Sequence, residues 1–208
     1  MELLFSFGTF AIIAFLAAVS PGPDFLVVSK NSLAHSRTAG MWTALGVGSA
    51  LLVHVTYTLI GIGLIISNSI LIFSIIKILG AIYLIWLGCN ILWSKSEHQI
   101  LVSEAAPTYK APLTAFKEGF LTNVLNPKAT VFFVSIFTQF VSPGLPKIIQ
   151  AAYGIEVAVI VAIWFVALSA MLTVPLIKRK LGTVQNRLMK CMGVALILLG
   201  VKVAFDNR

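Results

Sequence analysis

Charge is what this chain has least of. Of its 208 residues, 11% are Asp, Glu, Lys or Arg, against 59% hydrophobic, with a mean hydropathy of +0.99. A water-soluble domain carries about 25% charged residues, so too little polar surface is present to face water on all sides. An integral membrane protein is expected. Acids are the scarcer sign, seven against fifteen Lys and Arg, for a net charge of +8. The basic residues sit in short connectors between apolar runs, where membrane orientation needs them, which argues against nucleic acid as a partner. Cysteine is nearly absent too. Cys89 and Cys191 each lie inside an apolar run, with no Cys-x-x-Cys and three histidines in all, so they are read as inert thiols and no zinc site is expected. The chain has no Gly-x-x-x-x-Gly-Lys-[Ser/Thr] and no His-Glu-x-x-His. Direct ATP use is thereby disfavoured, as is metalloprotease chemistry. No cofactor is implied.

What is present in quantity is apolar sequence. A spanning helix needs about 20 mostly apolar residues, and six runs qualify: Leu3–Val28, Met41–Ile66, Ile70–Trp93, Gly119–Val141, Ile148–Ile177 and Leu188–Phe205. The start, MELLF, has an acid where a signal peptide carries basic residues, so the first run is expected to remain as a membrane helix. Between the third and fourth runs lies SKSEHQILVSEAAPTYKAP, a polar linker at about 94–113. Lys30, Arg37, Lys95, Lys110, Lys117 and the basic residues from Lys178 to Lys190 fall on one side of such a topology. Lys147, Lys202 and Arg208 fall on the other. The positive-inside rule then places both termini outside the cytoplasm.

The two sides of the linker resemble each other. KILGAIYLIWLG, from Lys77 to Gly88, matches KCMGVALILLG, from Lys190 to Gly200; SPGPDFLVV finds a counterpart in LNPKATVFF. Three spans per half is an odd number, so a duplicated half must enter the membrane the opposite way up. The expected fold is all-α, six transmembrane helices in two inverted three-helix repeats (about 1–93 and 114–208). The first helix of each repeat is broken at a proline motif.

The breaks are where chemistry is expected. Pro21 and Pro23 remove two backbone donors, and Gly22 lets the chain turn. Such a break survives in a membrane only against protein or a water-filled cavity. Asp24 then opens the next helical segment, where the dipole favours an anion, and Ser20 is placed to cap the same turn. Asn126-Pro127-Lys128 repeats the logic with the opposite charge. Two readings stand for Asp24 and Lys128: a structural ion pair between the halves, or the two ends of a site for a zwitterion.

Taken in order, SPGPDFLVVSKNSL, AGMWTALGVGSALLVH, KILGAIYLIWLG and FKEGFLTNVLNPKATVFF resemble the LysE/RhtB family of bacterial amino-acid exporters over nearly the whole chain. The resemblance implies a six-helix plasma-membrane exporter of amino acids such as threonine, homoserine or lysine, driven by an ion gradient. It also implies a transport path lined by Pro21, Gly22, Pro23, Asp24, Asn123, Asn126, Pro127 and Lys128. One departure stands out: the family often has a Pro-Gln-Phe stretch after the second motif, and this chain reads Phe137-Thr138-Gln139-Phe140.

Other titratable residues carry two readings each. His54, inside the second run, is either a proton relay or a neutral imidazole bonded to a neighbouring helix. Glu156 is either a coupling carboxylate or a residue near the outer interface. Asp24, His54 and Glu156 together would serve proton antiport. Lys77 is expected to snorkel outward, and the glycines Gly40, Gly46, Gly48, Gly61 and Gly63 to permit close helix packing. The expected partners are an amino-acid solute and membrane lipid, with a homodimer left open. Against the exporter stand a metal-cation exporter of similar architecture, thinly supported by His98 in SEHQ, and a polytopic membrane enzyme, for which no active-site constellation is present.

Overall fold

The computed structural model describes residues 2–20, 22–68, 70–93, 108–140, 145–174, 190–191, 193–194, 196–201 and 204–205. Among them the chain is all helix and turn, without a strand. Seven helices are delineated: α1 (Glu2–Val19), α2 (Pro23–Ala34), α3 (Arg37–Asn68), α4 (Ile70–Trp93), α5 (Pro112–Val124), α6 (Pro127–Phe140) and α7 (Lys147–Leu172). Further helical residues lie between 190 and 204. Proline marks several of the starts. Pro23, Pro112 and Pro127 are the first residues of α2, α5 and α6, and Pro146 caps α7. Each stands where a helix has no use for the missing N–H and where its fixed φ is already helical.

Among the described residues, two helices are long and apolar enough to cross a membrane alone, Arg37–Gly61 within α3 and all of α7. Two more spans arise if each bent pair counts as one: α1 with α2, and α5 with α6. Both pairs bend by 59°. The breaks expected at the two proline motifs are therefore real and alike in size. The fourth run begins earlier than its apolar residues suggest, because α5 starts at Pro112 and includes the charged pair Lys117-Glu118. Apolar side chains on the outer faces, including Ile12, Ile60, Leu79, Ile163 and Leu198, are more than half exposed, as a lipid-facing surface would be.

Close packing rests on glycine, as expected for helices in lipid. A Cβ at Gly46 of α3 would lie 2.1 Å from the Phe116 carbonyl oxygen of α5, and one at Gly119 of α5 would lie 2.1 Å from the Thr43 carbonyl oxygen of α3. The contact is reciprocal, so neither helix can take a side chain there. The segments with matching sequence also touch. A Cβ at Gly88 would lie 2.6 Å from the Gly193 carbonyl oxygen, and one at Gly200 would lie 2.7 Å from that of Ala81. As one chain rises the other falls, so these two segments cross antiparallel. Gly61, by contrast, has nothing within 4 Å of such a Cβ. Lys77, Gly63, His98 and the Lys178-Arg179-Lys180 cluster concern side chains or residues outside those described.

Candidate functional site: a cavity between two broken helices

The two breaks face one cavity of about 70 Å³. Roughly 10–15 Å³ of such space holds one water, so this cavity has room for a small solute. Its polar lining comes from Ser20, Asp24, Asn123, Asn126 and Lys128, that is, from both breaks at once. Gly22 contributes backbone. Pro23 and Pro127 start the two helices beyond the bends, and Pro21 lies outside the described residues.

Each break positions the other's side chains. Asp24 lies in the first turn of α2, whose N-cap Gly22 is extended and offers no side-chain cap. Its Oδ2 accepts hydrogen bonds from Asn123 Nδ2 at 3.0 Å and Asn126 Nδ2 at 3.1 Å. Asn126 uses both ends of its amide. While Nδ2 holds Asp24, Oδ1 accepts from the backbone N–H of Lys128 at 3.0 Å and so caps α6. Lys128 reaches back across the cavity, and its Nζ donates to Ser20 Oγ at 2.9 Å. The cap expected from Ser20 is thus not made; its oxygen receives the ammonium instead. Gly22 matters to that approach, because a Cβ there would sit 3.3 Å from Lys128 Nζ.

Two buried oxygens on this wall, Asp24 Oδ1 and Asn123 Oδ1, have no hydrogen-bond partner among the described residues. An unsatisfied buried acceptor is costly, and two on neighbouring residues of one cavity need a reason. Both are acceptors, and Lys128 supplies donors nearby. The arrangement can take a solute with an ammonium at one end and a carboxylate at the other. The rest of the lining is apolar, chiefly Leu51, Phe132, Phe133, Val157, Val161 and Phe165, with alanines of α1.

His54 is buried on α3 and does not line the cavity. Its Nε2 lies 3.1 Å from the Asn123 carbonyl oxygen, and its Nδ1 meets the Tyr57 hydroxyl. A carbonyl only accepts, so Nε2 carries the hydrogen of that bond, while Nδ1 is bonded to the Tyr57 hydroxyl. The bond to a neighbouring helix expected as one reading of His54 is therefore present. Glu156 also stands off the cavity, with Oε2 buried and without a hydrogen-bond partner. Among the described residues no three of His, Cys, Asp and Glu gather as a metal site would require.

A second polar cluster, which the sequence reading did not single out, ties α2 to α5 and to the end of the linker. Fully buried Asn31 donates to Thr43 Oγ1 at 2.8 Å and to Glu118 Oε2 at 3.0 Å, and accepts from Lys110 Nζ at 2.9 Å. Lys110 also pairs with Glu118. Beside it, Thr108 donates its N–H to the Ala34 carbonyl at 3.2 Å and meets His35 Nδ1. Asn31 lies just past the first apolar run, in Ser29-Lys30-Asn31-Ser32, where nothing local marks it as buried.

Comparison with known proteins places this geometry. The LysE type translocator family matches over residues 15–207. A threonine efflux protein of Escherichia coli (strain K12) is 32% identical over 181 residues, 85% of this chain and 86% of that protein. A leucine efflux protein of Enterobacter sp. (strain 638) is 34% identical over 140 residues, 65% of this chain and 64% of that protein. The uncharacterized membrane protein YrhP of Bacillus subtilis (strain 168) is 29% identical over 201 residues, 93% of this chain and 96% of that protein. No solved structure matches.

Proposed function

The chain belongs to the LysE type translocator family, a family of membrane transporters and not of enzymes, and on that premise we propose that it exports small amino acids from the cytoplasm across the bacterial inner (plasma) membrane. The threonine- and homoserine-like solutes of the family are the starting candidates. One observation carries the reading. The Asp24 carboxylate and the Lys128 ammonium, from opposite breaks, line one cavity in which two acceptor oxygens lack partners. The solute's ammonium goes to Asp24 Oδ1 and Asn123 Oδ1, and its carboxylate to Lys128. Pro21, Gly22, Pro23, Asn126 and Pro127 shape the path around it.

The architecture proposed with it is a multi-pass, six-span protein of two inverted repeats, about 1–93 and 114–208, joined by the linker at about 94–113. The equal 59° bends and the antiparallel crossing at Gly88 and Gly200 support it, since a two-fold axis in the membrane plane brings equivalent segments together in this way. Export is coupled to proton entry, with Asp24, His54 and Glu156 as the candidate carriers of the proton. A homodimer is compatible with this arrangement.

The experiment is efflux from preloaded proteoliposomes under an imposed gradient, with labelled amino acids. Protein-dependent efflux that Asp24→Asn reduces by tenfold or more is expected, because removing one partner of a buried charged site costs well over 1.4 kcal/mol. Efflux no faster than from empty vesicles for every amino acid overturns the proposal.

A further inference from the structure

The cavity takes its polar side chains from the two breaks, and that origin says what kind of side chain fits. Among the described residues, every polar side chain on its surface belongs to the breaks: Ser20, Asp24, Asn123, Asn126 and Lys128. Asn123 and Asn126 bond Asp24 Oδ2, and Lys128 bonds Ser20 Oγ, so polar groups of the two breaks hold one another. The apolar lining includes Leu51 of α3, Val157, Val161 and Phe165 of α7, and Phe132 and Phe133 of α6. Among the residues lining the cavity, none from α3 or α7 carries a polar side-chain atom.

We infer that the transported solute is an amino acid with an aliphatic side chain, valine- or leucine-like, in preference to a hydroxylated or charged one. The inference rests on the exporter reading above and replaces its hydroxylated starting candidates with aliphatic ones. An amino acid has two polar groups at one carbon and a side chain projecting from it. With the ammonium and carboxylate held between Asp24 and Lys128, the side chain meets the wall of Val157, Val161 and Leu51. A hydroxyl there gives up its hydrogen bonds to water without a replacement, and a charged group gives up more. A wholly apolar wall discriminates against an added hydroxyl only moderately, by about 100-fold at most. Against a charged side chain the same wall is close to absolute. Two residues set the contrast most directly. Val157 and Val161 lie one turn apart on α7 and are buried. Valine to threonine at either keeps the shape and places one hydroxyl in the wall, where it can rest on the carbonyl four residues back when unused.

The test is proteoliposomes holding the full chain, loaded in parallel with labelled valine, leucine, threonine or lysine. Expected are kcat/KM values for valine or leucine about 10–100-fold above threonine, and lysine efflux at the level of empty vesicles. Val161→Thr narrows the ratio of leucine to threonine severalfold, and Val157→Thr serves if the first variant does not assemble. Threonine carried as well as leucine, or lysine carried at all, overturns the inference while leaving export intact. An unchanged ratio in a variant that still transports overturns the placement of the side chain on α7. Failure to carry any of the four while a wider amino-acid panel is carried also overturns the inference, and failure of the whole panel removes the exporter reading itself.

Discussion

His54 Nε2 donates to the Asn123 carbonyl oxygen at 3.1 Å, and that carbonyl is the one Pro127 leaves without its helical partner. In an uninterrupted helix the N–H four residues on would bond it, and residue 127 has none. The Asn126 N–H takes one lone pair at 3.0 Å in a tightened turn, and the imidazole takes the other. A residue on α3 thereby completes the break between α5 and α6, and fixes the peptide that carries the Asn123 side chain to Asp24.

Replacing His54 with leucine should destabilise the protein by about 0.5–1.5 kcal/mol, the net worth of one hydrogen bond, because the Asn126 N–H still holds the carbonyl. Thermal unfolding in detergent, followed by circular dichroism, measures it. His54→Gln retains an N–H donor and should recover part of the loss. Equal melting temperatures for all three proteins would show that the bond contributes nothing.

Asp24→Asn and Lys128→Gln together should damage transport less than the product of the single effects. The two residues share one cavity, and groups that share a cavity commonly couple by about 0.5–3 kcal/mol. Initial efflux rates of the wild type, the two singles and the double close the cycle. Strictly multiplicative losses would mean that the two charges act apart.

Gly46→Ala should destabilise by about 1–3 kcal/mol or block assembly, since the new methyl meets the Phe116 carbonyl oxygen at 2.1 Å. Gly61→Ala on the same helix meets nothing within 4 Å and should be neutral or stabilising by up to about 1 kcal/mol. Detergent melting curves of the two variants, set side by side, decide whether the tight crossing of α3 and α5 is required.

Collapse of the pH gradient with a protonophore and potassium–valinomycin clamping should abolish uphill efflux from loaded vesicles if protons drive it. Accumulation against a gradient that persists with both forces removed would end the antiport proposal.

The sequence made the local features legible and left the crossings dark. Proline, glycine and one charge in an apolar run announce a break, because each has a backbone or solvation cost that only a cavity or a partner relieves. Hence the breaks and the opposed charges at Asp24 and Lys128 could be read directly. Ser20 was misjudged for the complementary reason. Its spacing to Asp24 suits a helix cap, and nothing local reveals a lysine from a distant segment arriving at its oxygen. The same holds for Asn31, whose three partners come from α3, α5 and the end of the linker. The target of His54 was hidden too, although the missing donor at Pro127 implied that some group must answer the Asn123 carbonyl.

The fastening of α2 has a mechanical consequence. Asp24 near its start is gripped by Asn123 and Asn126, and Asn31, two turns on, is gripped by Glu118 and Lys110. A rod riveted at two points about 10 Å apart can neither slide along its neighbour nor pivot against it. A doorway between α2 and α5 would have to break both fastenings before it could open.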